Sequence, residues 1–154
     1  MSTVIGVFDK QGNAEQALKQ IKKAGISEDK ISMVARDEEN NDTGYMNQNL
    51  TNGTATGGAL GGLAGLAASV GALAIPGIGP ILAVGPIAAG LSGAAAGGIA
   101  GGLVDMGIPE ERGNYYENEV KSGKILAAVE TEEDKVNDIA SHFRNNGASD
   151  VETH

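Results

Sequence analysis

The chain has 154 residues, enough for one domain with a modest core, and its 20 acidic and 11 basic residues give a formal net charge of -9. Nucleic-acid binding requires a clustered positive surface, so this balance argues against a nucleic-acid partner. The sequence contains no cysteine, which excludes disulfides and thiolate chemistry and is compatible with a reducing compartment. The first residues lack the pattern of a signal peptide, and a cytoplasmic protein is expected.

The charged residues are confined to the two ends of the chain. Residues 1–42 and 105–154 contain all of them, and residues 43–104 contain none. This partition predicts three parts: a first βαβ half in residues 1–42, an uncharged Gly/Ala-rich helical hairpin in residues 43–106, and a short helix with a second βαβ half in residues 107–154.

The two ends repeat one another. Each has four apolar residues at the i, i+3, i+4 and i+7 spacing of one helix face, and adding 122 to the numbers of the first set gives the second. The first set is Ala14, Ala17, Leu18 and Ile21, and the second is Val136, Ile139, Ala140 and Phe143.

Each repeat predicts a strand, a helix and a second strand. The predicted elements are residues 3–9, 14–24 and 31–36 in the first copy, and residues 124–130, 132–146 and about 149–153 in the second. Two such units predict an α+β fold of the ferredoxin-like kind, in which a four-stranded antiparallel sheet carries two helices on one face.

The leading strands of the two repeats are almost continuously apolar. They read TVIGVF and KILAAV, whereas a strand with one solvated face alternates between apolar and polar residues. We therefore expect the second face of the sheet to be covered, either by another copy of the chain or by the middle segment. The sequence leaves both possibilities open.

The uncharged middle segment predicts two helices joined by a turn. Large apolar residues recur at helical spacing over residues 58–75, with small residues on the opposite side, and a second helix is predicted over residues 81–104. The predicted hairpin-turn residues are Pro76, Gly77, Gly79 and Pro80, because proline ends a helix and glycine frees the backbone. The predicted helix-packing and oligomerisation residues are Gly58, Gly62, Gly65, Gly90, Gly93, Gly97 and Gly101.

Helices so rich in glycine need a compensating environment, because each glycine costs a water-exposed helix about 1 kcal/mol relative to alanine. Packing of the glycine faces in a homo-oligomer is one such environment. A membrane is another, since a bilayer core of about 30 Å forces backbone amides to bond internally. A flexible Gly/Ala linker is a third interpretation. The acidic flanks of the segment, with Asp37 and Asp105, disfavour anionic lipid.

No set of residues predicts a catalytic, cofactor-binding or metal-binding site. Two histidines, His142 and His154, do not supply the ligands that a metal site requires. Pro109 predicts the start of a short helix. That helix contains Tyr115 and Tyr116, and one of these rings is expected to pack against the sheet.

Three stretches of the chain resemble the bacterial general stress protein family. They are TVIGVFDKQGNAEQALKQIKKAGISEDKISMVAR, GALAIPGIGPILAVGPIAA and GIPEERGNYYENEVKSGKILAAVET, and the resemblance that they carry extends over nearly the whole chain. Members of that family enclose a glycine-zipper segment within a stress-protein domain. The resemblance implies a protein that accumulates under stress, is cytoplasmic or membrane-associated, and has no assigned enzymatic activity or catalytic residues.

The sequence thus predicts a non-enzymatic stress protein that self-assembles through its glycine-zipper hairpin, with itself as partner. A membrane-anchored protein that inserts the same hairpin into lipid is the alternative. A ligand-sensing ferredoxin-like module is a second alternative, since paired sheets of this kind can bind ligands between them.

Overall fold

The computed structural model describes residues 1–36, 71–75, 79–93 and 98–154, and over these residues the chain is α+β. The strands are β1 (Ser2–Phe8), β2 (Ile31–Arg36), β3 (Gly71–Ile75), β4 (Gly79–Val84), β5 (Ile125–Thr131) and β6 (Asp150–Thr153). The α-helices are α1 (Gln11–Lys23), α2 (Pro86–Gly93), α3 (Gly98–Asp105), α4 (Glu110–Lys121) and α5 (Val136–Asn145). Short 3₁₀ turns at Glu28–Lys30 and Glu133–Lys135 precede β2 and α5.

The six strands form one antiparallel sheet in the order β3-β4-β2-β5-β1-β6. The leading strands of the two sequence repeats, β1 and β5, lie side by side near its centre. Their register places Val4 opposite Val129 and Phe8 opposite Ile125. The prediction of an α+β fold with an antiparallel sheet is therefore confirmed.

The register of β1 and β5 relates the two repeats by an approximate twofold axis. Ile5 pairs with Ala128 and Gly6 pairs with Ala127, and adding 122 to Ile5 and Gly6 gives Ala127 and Ala128, so the shift exchanges the two pairs. Gln20 and His142, which are 122 residues apart, are also in contact, with 3.2 Å between Gln20 Oε1 and His142 Nδ1. The repeat seen in the sequence is therefore also a repeat in space.

One face of the sheet packs against the helices of the two repeats, α1 and α5. Val4 and Phe8 of β1 join Ala127 and Val129 of β5 in this core, where the Phe8 and Phe143 rings meet edge to face with centroids 5.5 Å apart. The helix faces predicted from the sequence supply the remaining contacts: Ala14, Ala17, Leu18, Ile21, Ile139 and Ala140 are buried.

The opposite face packs against α2, α3 and α4. Ile5, Val7 and Leu126 of the central strands contact a second apolar cluster, to which these helices contribute Ile87, Leu91, Ile99, Leu103, Tyr116 and Val120. Helices α2, α3 and α4 of the same chain therefore cover this face, which explains why β1 and β5 are apolar on both sides. Because these helices occupy the face, the sheet of a second copy does not cover it. A ligand bound between two open sheets would need the same face to be open.

The predicted helical hairpin is not confirmed, because two of its described stretches are strands. Residues 71–75 and 79–84 form the antiparallel strands β3 and β4, and Ile75 pairs with Gly79. The chain does reverse at the predicted turn, but it joins strands. The predicted second helix starts later, at Pro86, and its described parts are two helices of eight residues each.

Strand pairing explains this difference. Met33, Val34, Ala35 and Arg36 of β2 pair with β4, and β2 would otherwise leave its backbone N–H and C=O groups unpaired on that side. Ile81 and Ala83 of β4 are buried under the α2–α4 layer. An apolar run can form either a strand or a helix, and here the neighbouring strand determines which one forms.

Helices of eight residues are about 12 Å long, well below the bilayer core of about 30 Å. No helix among the described residues is long and apolar enough to cross a membrane.

Gly85 joins β4 to α2 in a conformation that requires glycine. Its φ is +82°, and a Cβ atom built there would lie 2.0 Å from the backbone oxygen of Ile31. Beside it, the buried Ser32 hydroxyl accepts a hydrogen bond of 3.2 Å from the Ile87 amide in the first turn of α2. Together these contacts anchor the second helical layer to β2.

Replacing Gly85 with alanine should destabilise the protein far more than the same change at Gly25. Gly25 also has positive φ, +96°, but open space around its Cα, so Gly25→Ala should cost only the backbone strain of about 1–2 kcal/mol. Gly85→Ala should cost about 1–3 kcal/mol more because of the clash. Urea unfolding followed by circular dichroism measures both, and equal losses would contradict the close contact with Ile31.

Candidate functional site

The glycines predicted to mediate helix packing divide into those that the structure describes and those that it does not. Gly90 and Gly93 lie in α2, and Gly101 lies in α3. Gly58, Gly62, Gly65 and Gly97 lie outside the described residues. The oligomerisation role of all seven stays a prediction.

Gly90 lies where α2 and α3 approach most closely. A Cβ atom at Gly90 would lie 3.5 Å from both the Cα and the backbone oxygen of Gly102. A Cβ at Gly102 would in turn lie 3.2 Å from Leu91 Cδ2. The 3.5 Å distance is an ordinary van der Waals contact, so a methyl group would fit at Gly90, and this contact of Gly90 lies within the chain.

Gly113 provides a second close crossing, between α3 and α4. A Cβ atom there would lie 3.1 Å from the backbone oxygen of Ala100 and 3.2 Å from its Cα. Neither Gly102 nor Gly113 is among the packing residues predicted from the sequence. A single glycine inside the otherwise charged helix EERGNYYENEVK is a usable signal, because glycine inside a helix is unfavourable unless packing requires it.

Glu117 of α4 caps the start of α3. Its Oε2 atom accepts a hydrogen bond of 3.0 Å from the Ala100 amide, one of the amides that lack a partner inside the helix. The carboxylate lies against Gly98, whose φ is +61°, and Lys121 Nζ is 3.3 Å from Glu117 Oε1. The α3–α4 contact is thus held both by packing and by a charged cap.

Two of the four predicted turn residues are described, and both lie in the β3–β4 hairpin. Gly79 and Pro80 are the first residues of β4, opposite Ile75 and Ala74. Pro76 and Gly77 lie outside the described residues. The hairpin places β3 as the outermost strand on this side of the sheet.

A polar cluster ties α4 to β6 at the other side of the sheet. Arg112 donates from Nε to Glu152 Oε2 at 2.7 Å and from Nη2 to Asp150 Oδ2 at 3.1 Å, and a second bond joins Nη2 to Glu152 Oε1. Its guanidinium carbon lies 4.4 Å from the centroid of the Tyr115 ring. A planar guanidinium can make such paired bonds to a carboxylate, which a lysine cannot.

Tyr116 completes this cluster from inside. The ring is buried in the core under the helical layer, as predicted for one of the two tyrosines, while its hydroxyl donates to Glu152 Oε2 at 3.1 Å. Burial, together with the nearby Glu152 carboxylate, raises the pKa of Tyr116 above its ordinary value. The phenol therefore stays protonated and acts as a donor.

The charge of Arg112 is also stabilised. Burial alone would lower the pKa of Arg112, but its bonds to Tyr116 and Glu152 raise it. His154 adds a further contact, with Nε2 3.2 Å from Glu152 Oε2. Because Arg112, Tyr116 and Glu152 bond mainly to one another, the cluster acts as a clamp between helix and strand.

No family model, curated protein or solved structure matches the chain. Membership of the general stress protein family therefore stays a prediction that depends on the resemblance of the quoted stretches.

A leucine at Gly113 should loosen the helical layer, whereas a leucine at Gly12 should not. Gly12 lies in α1, and a Cβ atom there would have no neighbour within 4 Å; leucine is also a better helix former than glycine by up to about 1 kcal/mol. Gly113→Leu must displace the Ala100 backbone and should lower the free energy of unfolding by about 1–3 kcal/mol. Thermal and urea unfolding compare the Gly113→Leu and Gly12→Leu variants, and equal stability of the two would contradict the close α3–α4 crossing.

Removing the Arg112 clamp should lower the free energy of unfolding less than Gly113→Leu does, because the charged groups of the clamp are partly exposed. Arg112→Met should lower the free energy of unfolding by about 1 kcal/mol, and Arg112→Lys should lower it less. Arg144→Met removes the same charge from an exposed position on α5 and serves as the control. Hydrogen exchange of β6 amides should increase only in the Arg112 variants. Unchanged exchange would show that the clamp does not hold this edge of the sheet.

Proposed function

We propose that the chain is a non-enzymatic bacterial general stress protein that acts by self-association through its charge-free segment, residues 43–104. The observation that supports this proposal is that the described part of the segment contributes both to the core and to the outer edge of the sheet. It supplies α2 and most of α3 to the core, and it also supplies β3 at the outside of the sheet. An outer strand presents backbone groups that can pair with another chain.

We also propose that the two repeats form a ferredoxin-like unit. The strand order β6-β1-β5-β2, the placement of α1 and α5 on one face, and the β1–β5 register support this assignment. In this interpretation β3, β4 and α2–α4 are an insertion between the halves. The insertion extends the sheet by two strands and adds the second helical layer.

Charge explains why contact between copies should use this segment. A chain with net charge -9 repels a second copy over most of its surface, and the repulsion is least where charges are absent. The described glycines contribute indirectly. Gly90, with Gly102, packs the helices that cover the sheet within one copy. The proposal also places the protein in the cytoplasm, and the absence of cysteine is compatible with that location.

Sedimentation of the full chain over a wide concentration range tests the proposal. The 15.5 kDa chain should form a larger discrete species as concentration rises. Added salt should leave this association unchanged or strengthen it, because screening reduces repulsion between the acidic copies and has no ion pair at the contact to weaken. A single 15.5 kDa species throughout would refute self-association, and dissociation by salt would refute a charge-free contact.

A further inference from the structure

The sheet has two outer strands, and they differ in how they are protected. In the part of the chain that the structure describes, β3 pairs only with β4, and β6 pairs only with β1. Helices cover both faces of the central sheet, so another chain can extend the sheet only at these two edges. Unpaired N–H and C=O groups make any such edge a template for a further strand.

The β6 edge opposes addition of a second copy. It is four residues long and includes Asp150 and Glu152, which α4 holds through Arg112. An antiparallel pair of β6 strands would bring these carboxylates and their symmetry mates close together. Like charges facing each other across two strands are unfavourable, and charged residues commonly protect natural edges in this way.

Among the described residues, the β3 edge carries no such protection. Its sequence from Gly71 to Ile75 is GALAI, without charge or proline, and it belongs to the charge-free segment of a strongly acidic chain. Two copies of this strand can pair in antiparallel fashion about a twofold axis at Leu73, with Ala72 opposite the partner's Ala74. Such a contact is self-complementary, and it closes as a dimer because the far edge of each sheet is charged.

We propose that β3 is the surface through which two copies associate, joining their six-stranded sheets into one continuous antiparallel sheet. This inference deepens the proposed self-association and depends on it. It assigns the contact to a strand edge, in place of the glycine-faced helices that the sequence predicts. The occupant is a second copy of this chain, because the same uncharged strand then supplies both sides of the contact.

A single cysteine at Leu73 tests the register directly, because the chain has no cysteine of its own. Opposed residues in an antiparallel pair have Cα atoms about 4.5–5.5 Å apart, within the range of about 4.4–6.8 Å for disulfides. Under mild oxidation Leu73→Cys should give at least about tenfold more covalent dimer than Thr153→Cys, which places an exposed cysteine on the β6 edge.

The outcomes separate this inference from the proposed function. If the wild-type protein dimerises but Leu73→Cys cross-links no more than Thr153→Cys, the β3 contact is refuted and self-association stands. If the wild type is a monomer, both the β3 contact and the proposed self-association are refuted.

Charge at the same position provides a second measurement. Leu73→Lys places two like charges directly opposite each other in the proposed dimer, so the dimer dissociation constant should rise at least about tenfold. Thr153→Lys adds the same charge at the other edge and should leave the constant unchanged. Circular dichroism must show both variants folded. A folded Leu73→Lys variant that dimerises like the wild type would overturn the proposal.

Discussion

Burial of the central β1–β5 pair on both faces constrains the rest of the structure. Val4 and Phe8 point to one side and Ile5 and Val7 to the other, and all four are at most 1% exposed. Burial of each such side chain contributes about 1.5–3 kcal/mol, so an open face would cost much of the stability of a small domain. The sheet therefore needs two helical layers. The repeats supply only α1 and α5, and α2, α3 and α4 supply the other layer.

Fitting three helices onto one side of a small sheet explains where the glycines lie. At the α3–α4 crossing, Gly113 lets the α4 backbone lie close to Ala100, and this packing offsets the intrinsic cost of glycine in a helix. At the α2–α3 crossing, Gly90 and Gly102 face each other at van der Waals distance. The layer is fixed at separate points. Gly85 and Ser32 hold it beside β2, while Arg112 and Tyr116 hold it at β6. The described part of the charge-free segment is thus largely an internal part of the fold.

The same arrangement makes the two sides of the sheet chemically different. On the β6 side, carboxylates and a guanidinium are concentrated around the outer strand. On the β3 side, the outer strand belongs to a segment with no charged residue. Among the described residues, one outer strand of the sheet is thus charged and the other is uncharged.

The sequence by itself determined the repeated elements. Their apolar spacing predicted β2 at its observed residues and the buried faces of α1 and α5, because amphipathic periodicity is a local property of each helix. It also located the chain reversal before Gly79. Only the tertiary structure decided that residues 71–75 and 79–84 are strands, since an uncharged run has no polar face to define its period and β2 offered backbone groups to pair. For the same reason, Gly102 became recognisable as a packing site only when α3 met α2, whereas the isolated Gly113 of the charged helix α4 is a signal in the sequence itself.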